Sequence, residues 1–202
     1  ENDYTQLYVV NAADGTCDQE RSADLTVPAE FSSWWTEDNE NWSSTWQMGF
    51  TDPAHFHLGE RTDLLGTGTV YRTYAVGGDG YPVSDEPYFF SASSYALKAL
   101  KDIPCQLVDQ EGNVTGDGVI PEGSFVHVLR TDNDSVCDLQ EVDASLVTKG
   151  GEEGWYSYTL SQPVLPDYSR KIYRLTVDRQ DYPAQINGAD EDTLLEGILY
   201  AG

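Results

Sequence analysis

The sequence predicts a mainly-β chain made of two similar small modules in tandem, residues 1–96 and 97–202, each ending in a short helix. Three observations predict it. Apolar residues alternate at period two, turn residues separate these runs at short intervals, and a set of short motifs recurs in the same order in each half. The length agrees, because 202 residues divide into two units near the common domain size.

The recurrence is the first element of that case. Val70-Tyr71-Arg72 returns as Ile172-Tyr173-Arg174, and each triplet is followed by a polar turn and a Tyr-Pro pair, Tyr81-Pro82 and Tyr182-Pro183. Asp85-Glu86-Pro87-Tyr88-Phe89-Phe90 corresponds to Asp190-Glu191-Asp192-Thr193-Leu194-Leu195, and Tyr95-Ala96 to Tyr200-Ala201. Looser matches precede these. Asp14-Gly15 answers Glu111-Gly112, Val27-Pro28 answers Ile120-Pro121, and Asp38-Asn39-Glu40 answers Asp132-Asn133-Asp134.

The strands come next. Val126 and Val128 alternate with Phe125, His127 and Leu129, so the valines face a core and His127 is expected on an exposed face. Tyr156, Tyr158 and Leu160 share one face of a second strand, and Tyr173, Leu175 and Val177 one face of a third. Turns are expected at Glu111-Gly112-Asn113, Asp132-Asn133-Asp134, Gly150-Gly151 and Asn187-Gly188. The helices close each module. Asp190 caps a turn running to Glu196 with Gly197 ending it, and a counterpart starts at Asp85 with Pro87 in its first turn.

Composition narrows the partners. With 35 acidic and 11 basic residues the formal net charge is -24, which disfavours nucleic acid and anionic membrane surfaces and permits cationic partners or divalent ions. The 12% aromatic content argues against disorder. No apolar run is long enough to span a membrane. Cys17, Cys105 and Cys137 form no C-x-x-C pair and allow either one disulfide and one thiol or three free thiols. Richness in Tyr, Trp, Gly and Asp with few Lys suggests an extracellular or cell-surface location.

One stretch carries a family resemblance. Val119-Ile120-Pro121-Glu122-Gly123-Ser124-Phe125-Val126-His127-Val128-Leu129, followed by Gly154-Trp155-Tyr156, resembles bacterial SH3-like domains. The usual N-terminal Asn-Val-Arg segment is absent, and the first half lacks the Gly-Trp-Tyr strand. The acidic segment before the terminal Tyr-Ala-Gly is similar to that of secreted or lipid-anchored proteins of gut Firmicutes. The resemblance implies two SH3-like barrels, an extracytoplasmic location and a binding or scaffold role, with no catalytic residues to carry over.

Residues found in one half alone are the better candidates for a specialised site. Trp34, Trp35, Trp42 and Trp46 stand among Glu37, Asp38 and Glu40, a pattern suited to stacking on sugar rings or to a protein interface, or else to filling the first core. These four tryptophans are the expected ligand-binding residues. His55-Phe56-His57 places two imidazoles on one strand face, but a zinc site needs further ligands, with Asp52, Glu60 or Asp63 in range, and no metal or other cofactor is assigned. Asp132-Asn133-Asp134 offers calcium-type oxygens but fits a hairpin turn better. The usual nucleophile, metalloprotease and nucleotide-loop motifs are absent. The expectation is a non-catalytic extracytoplasmic protein that recognises a protein or glycan. A structural spacer of a cell-surface lipoprotein and a cell-wall or glycan hydrolase are the alternatives.

Overall fold

The computed structural model describes residues 8–24, 47–52, 54–62, 64–66, 68–91, 93–152, 155–177 and 194–197. These residues are mainly β. The first part of the chain supplies α1 (Gln19–Asp24), β1 (Gln47–Asp52), β2 (His55–Thr62), β3 (Gly68–Val76), β4 (Pro82–Val83) and β5 (Phe89–Ser91). Then follow β6 (Tyr95–Ala99), β7 (Ile103–Val108), β8 (Val114–Ile120), β9 (Phe125–Thr131) and β10 (Val136–Val142). The set is completed by β11 (Val147–Glu152), β12 (Trp155–Leu160), β13 (Ile172–Thr176) and β14 (Leu195–Glu196).

β3 is rich in Val, Thr and Tyr and β8 in Val, Ile and Thr, and such branched and aromatic side chains pack well on a pleated surface. Neighbouring strands pair antiparallel in the order β1-β2-β3-β5-β9-β10-β13-β7-β8. The outer edge of β9 is shared. β6 pairs with its beginning at Val126 and Phe125, and β5 with its end at Thr131 and Arg130. β6 also pairs with β12 and β14, and β12 with β11.

The main core lies on one face of this sheet. It joins Val126, Val128, Cys137, Leu139, Tyr173 and Val177 to Ile103, Ile120, Leu97 and Leu195. A left-handed turn at Leu65 (φ 49°) brings Leu64 and Leu65 into the same cluster from the first half of the chain. The other face carries two smaller clusters, one around Ala96, Val142, Tyr158 and Leu160, and one around Val108, Leu129 and Ile172.

Several expectations hold. Tyr158 and Leu160 are buried together with Tyr156 packed on them, and Tyr173, Leu175 and Val177 face the main core. Hairpin turns fall at Glu111-Gly112-Asn113 and Asp132-Asn133-Asp134, with Gly112 and Asn133 at the positive φ those turns require.

Others are corrected. The described sheet is open, because β1 and β8 end the path without pairing to each other, so this pattern does not form two closed barrels. β6 runs through residues 96 and 97, and its partners β9, β12 and β14 all come later in the chain. No helix starts at Asp85. Glu86 instead turns its carboxylate to the backbone N–H of Thr73 at 2.7 Å, filling the gap between β4 and β5 along β3. Leu195 and Glu196 are extended, not helical. As β14 they pair with Ala99 and Lys98, which drives Leu195 into the core. Gly150-Gly151 lies within β11, opposite Ser157 and Tyr156. Among the described residues α1 is an α-helix that the sequence pattern does not predict. Its N-cap is Asp18, whose carboxylate accepts from the Arg21 N–H. The turn at Asn187-Gly188 lies outside the described residues.

Candidate functional site

Opposed residues in antiparallel strands share a face, so the register traces one face across the whole sheet. Tyr71 lies opposite Phe90, Phe90 opposite Arg130, Arg130 opposite Asp138 and Asp138 opposite Arg174. The two ends of this line have different chemistry.

The β2–β3–β5 end is an aromatic row. The His57 ring meets Tyr71 edge-on at 6.1 Å, and Tyr71 meets Phe90 at 6.1 Å. Tyr71 is 37% exposed, with Phe90 and His57 half-buried beside it. Partial burial pushes the Tyr71 hydroxyl above its ordinary pKa, and the nearby charge of Glu86, then Tyr168, adds to the shift. The Glu86 carboxylate, held on the N–H of Thr73 opposite His57, stands beside the row.

The β10–β13 end is a buried ion network. Asp138 is fully buried and accepts from Arg130 Nε at 2.7 Å and from two nitrogens of Arg174 at 2.7 and 2.8 Å. Remaining guanidinium donors reach the carbonyls of Asp109, Gln110 and Gly112 in the β7–β8 turn, and the Tyr88 hydroxyl. The hydrogen bond to Asp138 raises the Arg174 pKa still further, so its guanidinium remains charged. The Tyr88 ring covers the pair, with the Arg130 and Arg174 guanidinium carbons 4.7 and 5.3 Å from its centroid. So many internal partners leave this network as scaffold, and breaking it would strand a buried charge.

Farther along β9, towards its pairing with β6, lies His127. It is buried, contrary to the exposed position expected of it, because both faces of β9 are covered. Its Nδ1–H donates to the Tyr95 carbonyl, and burial lowers its pKa. Opposite it, Gln140 is also buried and holds the loop before β13 through the Leu165 carbonyl and the Asp167 N–H.

Much of the acidity caps turns. The backbone N–H groups of Thr16, Ala54 and Ser145 hold Asp14, Asp52 and Asp143 below the usual carboxylate pKa. Arg21, the Asn113 amide and the Ser169 hydroxyl do the same for Asp79, Asp109 and Asp167. Asp132 accepts from the N–H groups of Asp134, Ser135 and Val136 through one oxygen, which makes its loop a hairpin turn and not a cation cage. His55 gives its Nδ1 to Asp52 at 2.7 Å while His57 joins the aromatic row, so the two imidazoles take separate partners. Among the described residues no group of three or more His, Cys, Asp or Glu is arranged to hold a metal. Cys17, Cys105 and Cys137 form no disulfide with one another, and burial raises the Cys105 pKa. A shallow depression of about 350 Å³ between Ser124, Glu141, Asp143 and Arg170 is polar and lies away from the row.

Trp34, Trp35, Trp42 and Trp46 lie outside the described residues. The sequence reading missed the row itself. Tyr71 was assigned to the repeat and so to the common fold, and Phe90 to a helix. The signal was the alternation Tyr71, Thr73, Ala75 along β3, which puts Tyr71 on the face opposite the buried Val70. No family model, curated protein or solved structure matches the chain.

Proposed function

We propose that this chain is a non-catalytic binding or adhesion protein of the cell exterior that recognises a protein or glycan. The observation that carries this reading is the aromatic row His57–Tyr71–Phe90, laid across three neighbouring strands on a partly open sheet face and set on a cross-braced scaffold. Rings held by strands are preorganised for stacking and lose little entropy when a partner arrives. The Trp34, Trp35, Trp42 and Trp46 segment is proposed as a second contact region. The extracytoplasmic location draws on composition, and kinship to SH3-like modules draws on residues 119–129 and 154–156.

Glycan and peptidoglycan arrays, together with a panel of surface proteins, test the reading. A ligand should emerge whose binding falls at least about tenfold in Tyr71→Ala, Trp35→Ala or Trp42→Ala, since each removes a large contact ring. Unchanged binding in all three variants would remove both proposed contact regions. The spacer reading is favoured by a different observation, the joining of the halves through β5 and Tyr88. It predicts a rigid particle in scattering and no ligand on any array.

A further inference from the structure

Resting on the binding reading above, we propose that the row His57–Tyr71–Phe90, with the Glu86 carboxylate beside it, seats lysine or arginine side chains from a basic segment of a partner protein. Ring faces are electronegative and attract cations placed over them. This chain uses that contact repeatedly. Arg21 lies 3.8 Å from the Tyr81 centroid, Arg72 3.9 Å from Phe89, and Lys149 3.2 Å from Tyr156, while Arg130 and Arg174 share Tyr88. Five of its 11 basic residues are thus already placed over its own rings. Among the basic residues whose side chains are described, none is placed over Tyr71, Phe90 or His57.

One basic residue beside the row is turned away. Arg130 lies opposite Phe90, but its guanidinium points to Asp138 and to the carbonyls of Asp109 and Gln110. Glu86 holds the Thr73 N–H through one oxygen, which leaves its second oxygen open to an incoming donor. A charge of -24 extends the attraction outward, steers basic partners to the surface and repels anionic glycans. A neutral glycan would use the rings but gain nothing from that field.

The test is fluorescence anisotropy with two labelled probes, a Lys/Arg-rich peptide and a neutral chitooligosaccharide, on the full chain. Three variants are compared with the parent, each checked for folding by circular dichroism. Tyr71→Leu keeps apolar bulk and removes the ring. Glu86→Gln removes the charge and keeps an acceptor for Thr73. Glu122→Gln, on the exposed β8–β9 turn at the other end of β9 from Arg130, makes the same change in net charge away from the row. Peptide binding should weaken about threefold to fivefold in Tyr71→Leu and in Glu86→Gln, and change little in Glu122→Gln. Equal losses in Glu86→Gln and Glu122→Gln would reduce the effect to bulk charge and overturn the inference. Tyr71-dependent binding of the chitooligosaccharide, with peptide binding insensitive to Tyr71 and Glu86, would overturn the cationic ligand and leave the binding reading standing. Failure of both probes to respond to Tyr71→Leu would remove the row from both readings.

Discussion

Val70-Tyr71-Arg72 and Ile172-Tyr173-Arg174 are near-identical triplets, each on a β-strand, yet they have opposite fates. In β3 the tyrosine is 37% exposed beside Phe90 and the arginine lies over Phe89. In β13 the tyrosine is 3% exposed within the main core, and the arginine clasps Asp138 with two nitrogens. The line of opposed residues from Tyr71 arrives at Arg174, not at Tyr173, so the two tyrosines face opposite sides of the sheet. A strand motif therefore does not carry its own burial. Period-two geometry allows each residue either face, and the neighbouring strands decide which face is covered.

The strongest way to break this comparison is at the ion network. Asp138→Ala leaves the buried Arg130 and the partly buried Arg174 guanidinium groups without their carboxylate and should cost about 3–5 kcal/mol in urea unfolding. Arg72→Met, made at the counterpart of Arg174, should cost less than about 1 kcal/mol. Next in size, Tyr173→Ala should lose about 3 kcal/mol through the cavity it opens, whereas Tyr71→Leu should lose under about 1 kcal/mol. Equal losses at the two tyrosines would show that the inverted faces are wrong.

A smaller effect is expected at Gly112, which has φ 90° and whose added Cβ would lie 2.7 Å from the Tyr88 ring. Gly112→Ala should destabilise by about 1–2 kcal/mol and lower the thermal midpoint by displacing Tyr88 from the arginine pair. The smallest effect is one of pH. Burial lowers the His127 pKa, so the unfolded imidazole takes up a proton more readily than the folded one. Its contribution is complete above the unfolded value near 6.5 and declines as the pH falls towards the folded value. His127→Gln should flatten the fall of the thermal midpoint that begins as the pH drops below about 6.5. Steeper losses below about pH 4 should persist in that variant, because carboxylates such as Asp14 and Asp109 have lowered folded pKa values and lose their turn-capping role on protonation.

The mainly-β character was legible because it rests on local pattern, as in the shared face of Tyr173, Leu175 and Val177. Turns at Gly112 and Asn133 were legible because positive φ selects few residue types. What escaped depends on partners distant in sequence. Glu86 looked like the first turn of a helix, yet it binds the Thr73 N–H, and Leu195 leaves a helical pattern to pair with Ala99. The Arg130–Asp138–Arg174 network could not be read from three charges spread over three strands, since nothing local shows which carboxylate will be buried. Acid-rich loops such as Asp132-Asn133-Asp134 read equally as cation ligands or turn caps until the direction of the carboxylate is known.

β5 is three residues long, yet it forms the ladder contact between β3 and β9. A polypeptide severed just after Ser91 would lose that cover together with Tyr88. The amide edge of β9 near Arg130 and Thr131 would be bared, and the shield over two cations stripped away. Bare strand edges recruit other strands. The C-terminal fragment released by such a cut is thus a candidate for self-association, and the short splint at Phe89–Ser91 guards against it in the intact chain.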